Sequence, residues 1–97
     1  MSIENFLIDF QRHAKRYKWY LNSFGYIRTK KLDMCPMACL VKSKYKKDID
    51  NSDFDIMEKL LKLTTEQRGI IISATDSCRL LEAQKLRKKL LRITGLK

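Results

Sequence analysis

Cys35, Cys39, Cys78 and His13 are the side chains of this sequence best suited to hold a metal or to attack a carbonyl. A structural zinc needs four thiolates or imidazoles in tetrahedral array. Cys35 and Cys39 can fall on neighbouring helical turns, but His13 and Cys78 lie far off in sequence, so thiols packed in a helical core fit better. A Cys–His nucleophile pair lacks any marked orienting group or oxyanion hole. The window Asp48, Asp50, Asp53, Asp55 and Glu58 lacks the glycine and the spaced bidentate glutamate of a calcium loop, and reads as a polar connection between helices. Gly69 stands alone inside a helical pattern, so there is no phosphate-cradling loop. The sequence therefore predicts a protein that is not an enzyme and carries no cofactor or metal.

Trp19 offers a different chemistry. Ile3, Phe6, Leu7, Phe10, Ala14, Tyr17 and Leu21 recur at steps of three and four, the period of one helix with a buried stripe, running on to Phe24. On that helix Trp19 points away from the stripe and shares the outer face with Arg12, Lys15 and Arg16. An exposed indole framed by cations can stack on a base while its neighbours hold phosphates. The competing reading is that the 26–34 segment folds over Trp19 and makes it core, since large aromatics are mostly covered.

The elements that must position these residues read as a row of helices. Gly25 suits the left-handed stop of the first helix, and 26–34 forms a linker with room for a short extended piece. Pro36 suits a helix N-terminus, so a second helix is expected from Pro36 to about Tyr45, burying Met37, Leu40 and Val41. Ser52 or Asp53 can cap a short third helix that uses Phe54, Ile56, Met57, Leu60 and Leu61. Thr64 and Gln67 match a capping box opening a fourth helix through about Ala74. Thr75 or Asp76 can cap a fifth, with Ala83, Leu86, Leu90 and Ile93 buried, ending at Gly95. The expected fold is all-α: one compact domain of four to five helices spanning residues 1–97. No run of about 18 apolar residues exists, so no membrane partner is expected.

The charge is lopsided: 21 Lys and Arg against 11 Asp and Glu, a formal +10. Lys85, Lys88, Lys89 and Arg92 share one face of the last helix. Lys42, Lys44, Lys46 and Lys47 crowd the end of the second, and Arg28, Lys30 and Lys31 fill the linker. Any one such stripe is ordinarily a solvated face, or a complement to a helix dipole. Several together, with an outward aromatic, favour a polyanion. A helix-turn-helix reading is weak, because the N-terminal part of the last helix offers only Ser77, Arg79 and Glu82. Contact with backbone and shape is favoured over base reading.

Arg28-Thr29, Cys35-Pro36-Met37-Ala38, Leu63-Thr64, Ala74-Thr75-Asp76, Leu86-Arg87-Lys88-Lys89-Leu90-Leu91 and Gly95-Leu96 form a layout that resembles small phage and mobile-element proteins of uncharacterised activity. The resemblance implies a bacterial cytoplasm, during phage infection, as the setting. Reduced thiols and the absence of a signal-peptide pattern agree with that setting.

Two functions follow as expectations. The first is a binding protein that grips RNA or DNA through the Arg12, Lys15, Arg16 and Trp19 face, extended by Arg28, Lys30, Lys31, Lys42, Lys44 and Lys46 and by the last helix. The second is an inhibitor of the anti-CRISPR type, docking on a protein or ribonucleoprotein of a bacterial defence complex. Tyr20, Tyr26 and Tyr45 are candidates for a homodimer contact.

Overall fold

The second helix is the centre of the molecule. In the computed structural model, which describes residues 1–77 and 80–97, α2 (Pro36–Tyr45) buries every side chain from Pro36 to Val41. A helix apolar on all sides must be surrounded. Around it pack α1 (Ile3–Ala14), α3 (Phe54–Leu61), α4 (Thr65–Thr75) and the second strand of a small antiparallel hairpin. The hairpin pairs β1 (Trp19–Leu21) with β2 (Ile27–Thr29), and α5 (Leu81–Thr94) closes the other side, mainly against α4. The radius of gyration of 11.9 Å matches the value of about 12.5 Å expected for one domain of this length.

The helix starts follow local sequence logic. Ser2 accepts from the amide of Asn5 at 3.1 Å and caps α1, while Pro36 occupies the first turn of α2. Asp53 precedes α3 without a side-chain cap bond. The Thr64 hydroxyl accepts from the Gln67 amide at 3.1 Å while the Gln67 side chain accepts from the Thr64 amide at 3.0 Å, the reciprocal pair of a capping box. Gly95 ends α5 at φ +79°. The apolar stripe of α5 buries Ala83, Leu86 and Leu90, with Ile93 half-covered; on α3 Met57 and Leu61 are buried, and Ile56 is exposed. α5 begins at Leu81, several residues after the Thr75 or Asp76 cap expected from the sequence.

The first third of the chain differs from the sequence reading. α1 stops at Ala14 rather than at Phe24, and a hairpin follows, so the fold is mostly helical but not purely so. Trp19-Tyr20-Leu21 and Ile27-Arg28-Thr29 pair across Ser23-Phe24-Gly25, with Asn22 and Tyr26 closing the loop. The Gly25 amide donates to the Asn22 carbonyl at 2.9 Å and Gly25 sits at φ +80°, the left-handed residue that a three-residue hairpin loop requires. A Cβ there would also lie 2.6 Å from Ser77 Oγ, so the serine hydroxyl would have to turn away from its bond to the Phe24 carbonyl.

Candidate nucleic-acid interface

Trp19 is interior. It is 7 % exposed, its ring lies 5.4 Å from Phe10 at 59°, and its indole N–H donates to the Ala14 carbonyl at 3.1 Å. The expected outward indole is thereby corrected. The 3.6-residue period on which it rested ends at Ala14, and strand pairing with Thr29 turns the ring inward. The Tyr17 amide donates to the same Ala14 carbonyl at 3.2 Å. Two donors thus satisfy one of the helix-end oxygens that lack an intrahelical partner, and the turn they fix sends Arg16 and Tyr17 out of the core.

Arg16 and Tyr17 form the ridge of the site. The Arg16 guanidinium hydrogen-bonds the hydroxyl of buried Ser43 on α2, whose own proton goes to the His13 carbonyl at 3.3 Å. Its carbon stands 5.5 Å from the centre of the Tyr17 ring, within cation–π reach. One groove of about 450 Å³ runs from this ridge to the hairpin, past Lys18, Thr29, Lys30, Lys31 and Leu32. A second of about 430 Å³ runs the other way, past Lys42, Lys46 and Asp48 at the end of α2. Lys42 pairs with Asp48, whose carboxylate raises the pKa of that ammonium.

The hairpin side is rigidly built. The Lys30 amide donates to the Lys18 carbonyl at 2.8 Å, extending the ladder so that Lys18 and Lys30 face each other. Like charges directly opposite on a hairpin oppose folding. The turn that follows is tied by the Met34 amide on Thr29 Oγ1 at 3.0 Å, by the Tyr20 hydroxyl on Asp33 at 2.7 Å and by Asn51 on the Asp33 carbonyl at 2.7 Å. Lys30, Lys31 and Leu32 are therefore presented, exposed, on a fixed loop.

Of the residues expected at a binding face, Arg16, Lys30, Lys31, Lys42 and Lys46 come together along the two grooves. Arg28 does not. It bridges Asp76 at 3.2 Å with its side chain only 13 % exposed, and lies 5.2 Å from the Tyr26 ring centre. Lys44 is engaged with Asp9 at 2.6 Å. Arg12 and Lys15 are exposed near the end of α1 but line neither groove. Lys85, Lys88, Lys89 and Arg92 are exposed on α5, also outside both grooves, and make no ion pair among the described residues. Tyr17, Lys18, Leu32 and Asp48 were not legible as site residues from the sequence. The signal that could have found Lys18 is the hairpin itself: aromatic and β-branched runs on either side of Asn22-Ser23-Phe24-Gly25.

The remaining chemical candidates fall elsewhere. Cys35 caps α2, its sulfur accepting from the Ala38 amide at 3.5 Å, and Cys39 is fully buried. Among the described residues no group of three or more His, Cys, Asp or Glu is arranged to hold a metal; Cys78, named with the thiols, and Arg79, at the start of the suspected recognition helix, lie outside the described residues. Burial pushes the Cys39 thiol up to about 12 and the Cys35 thiol in the same direction. Both are protonated at neutral pH. The contribution of Cys39 to stability is complete below the unfolded thiol value of about 8.5 and declines as pH rises from there towards about 12; that of Cys35 declines in the same direction. In native protein at pH 8, Cys35 and Cys39 should resist iodoacetamide and should label fully in urea. Peptide mass spectrometry reads both, and rapid native alkylation of Cys39 would contradict the burial.

Tyr45 donates to the Leu60 carbonyl at 2.8 Å, so the three tyrosines considered for self-association all have partners within the chain. Among the described residues no helix is long and apolar enough to cross a membrane. No family model, curated protein or solved structure matches this chain.

Proposed function

We propose that the face around Arg16 and Tyr17 binds nucleic acid through its phosphates. The observation that carries this reading is the meeting of two grooves on one ridge, with six cations along them against the single carboxylate of Asp48. Part of that charge has a local use. The Ser43 contacts to His13 and Arg16 bring the last turns of α1 and α2 together, and each helix C-terminus carries about half a negative charge. The two ends offset about one cation and Asp48 offsets another, so a clear positive surplus remains. The opposed Lys18 and Lys30 add to the field and bring no gain to folding. A net charge of +10 draws a polyanion from a distance, and the grooves give it a place to rest. This reading is of a binding protein, and no reaction is assigned to the face.

Salt dependence tests it. Removing the partner of one phosphate should flatten the slope of log affinity against log salt by about 0.7 on single strands and about 0.9 on duplex. Lys30→Gln with Lys31→Gln should therefore flatten it by roughly twice that amount. Lys88→Gln with Lys89→Gln on α5 removes the same charge away from the grooves and should change the slope far less. Equal flattening by the two pairs would mean diffuse attraction to a basic protein and no defined face.

A further inference from the structure

We infer that the ligand of this face is a single strand rather than a duplex, with one unpaired base seated in the groove between Tyr17 and Leu32; this rests on the nucleic-acid reading above. The hairpin groove is the more enclosed of the two, and its wall is not simply cationic. Tyr17, Leu32 and the buried Thr29 line it together with Lys18, Lys30 and Lys31. Leu32 is 50 % exposed, an apolar side chain held open on a turn that Thr29 and Asp33 fix in place. A duplex offers such a surface phosphates, sugars and base edges but no free base face along its length, because its bases are already stacked on one another. A single strand offers phosphates together with free π faces, which matches a partly apolar slot ringed by ammonium groups.

The ridge between the grooves suits the same ligand. Arg16 is held by Ser43 with its guanidinium carbon 5.5 Å from the Tyr17 ring centre, so a guanidinium and a phenol ring are already together on the ridge before any ligand arrives. Bases stack on both kinds of surface. Less side-chain freedom is lost on binding when the platform is already ordered. A strand that places a base against Tyr17 would continue across Arg16 into the second groove, where Lys46 is exposed and Lys42 is already paired with Asp48. The Lys46 end of that groove therefore takes the next phosphate.

Fluorescence polarisation with three labelled probes of one mixed sequence decides the matter: single-stranded RNA, single-stranded DNA and the DNA duplex, all at one salt concentration. At least one single strand should bind tenfold or more tightly than the duplex, and the tighter of the two identifies the preferred sugar. Tyr17→Leu should weaken single-strand binding by about 5- to 150-fold, the range for loss of one base stack, and the ratio of single-strand to duplex affinity should collapse. Tyr17→Phe, which keeps the ring, should lose much less than Tyr17→Leu. Because Tyr17 packs partly against the core, Leu32→Asn at an exposed position provides a second variant that leaves the fold intact, and it should lower the same ratio. Equal affinity for duplex and single strands, or loss of both in parallel on Leu32→Asn, overturns the strand preference while leaving the phosphate-binding face standing. Failure of all three probes to bind overturns the nucleic-acid reading itself.

Discussion

Phe10→Ala should cost the protein a large share of its native stability, from about a fifth to all of it. Phe10 is fully buried, stacked 6.0 Å from Phe6 along α1 and 5.4 Å from the Trp19 ring across the α1–hairpin junction. Truncating a buried phenylalanine costs about 3–5 kcal/mol in lost burial and residual cavity. A domain of this size has about 5–15 kcal/mol in total, so the loss is about a fifth of the stability at best and all of it at worst. The expected fall in Tm is at least about 12 °C, read by circular dichroism. The site should suffer with the core, because the Trp19 indole that Phe10 supports is the group donating to Ala14 and fixing the turn that presents Arg16 and Tyr17. Phe10→Leu, which keeps most of the apolar volume, should recover a large part of the loss. A Phe10→Ala protein melting within a few degrees of wild type would mean that the hairpin is not docked on α1 as described.

Arg87→Ala should be the most damaging change at a charged position. From α5 the guanidinium donates to the Ala74 carbonyl at 3.1 Å, to the Asp76 carbonyl at 3.3 Å and to the Gly25 carbonyl at 2.5 Å. One side chain thus ties the end of α4 and the tip of the hairpin to α5. Ser77 adds a parallel tie, its hydroxyl donating to the Phe24 carbonyl at 2.8 Å. A hydrogen bond from a charged donor contributes about 1.5–3 kcal/mol, and a carbonyl left without a partner in a half-buried place adds to the cost. Arg87 is only half-buried, so water replaces much of what the three bonds supply, and the net loss expected is about 2–4 kcal/mol, or roughly 8–30 °C in Tm. Removing one positive charge from a protein at +10 relieves some self-repulsion, but too little to offset three lost bonds. Arg87→Lys should restore little, because a single ammonium cannot reproduce the planar fork that reaches three carbonyls. Near-normal melting of Arg87→Ala would show that the hairpin tip does not need α5.

What was legible in the sequence was whatever is decided locally. Pro36 marked the start of α2, Thr64 and Gln67 marked the start of α4, and Gly95 marked the end of α5, each because a terminal backbone group needs a particular neighbour within a few residues. The end of α1 was not legible. Tyr17 and Leu21 keep the helical spacing past Ala14, and nothing nearby in sequence breaks the helix. The stop is tertiary: the Trp19 side chain takes the Ala14 carbonyl once β1 has paired with β2. The face shows the same division. Its richness in cations was visible from composition, but which cations converge was not, since Arg28 and Lys44 are spent on Asp76 and Asp9 within the fold. The aromatic was visible as a type and misplaced as a residue, because the chain turns after Ala14 and enters a strand at Trp19, which exchanges the exposures expected of Tyr17 and Trp19.

The position of Trp19 also makes the chain its own optical gauge. It is the only tryptophan in the sequence, and it sits in an apolar setting between Phe10 and the end of α1, behind the Arg16–Tyr17 ridge and not on it. Its emission should track the closure of the hairpin onto the first helix, because the ring is buried against Phe10 and away from the grooves. One cuvette can thereby separate a variant that has lost its shape from one that has kept its shape and lost only its grip.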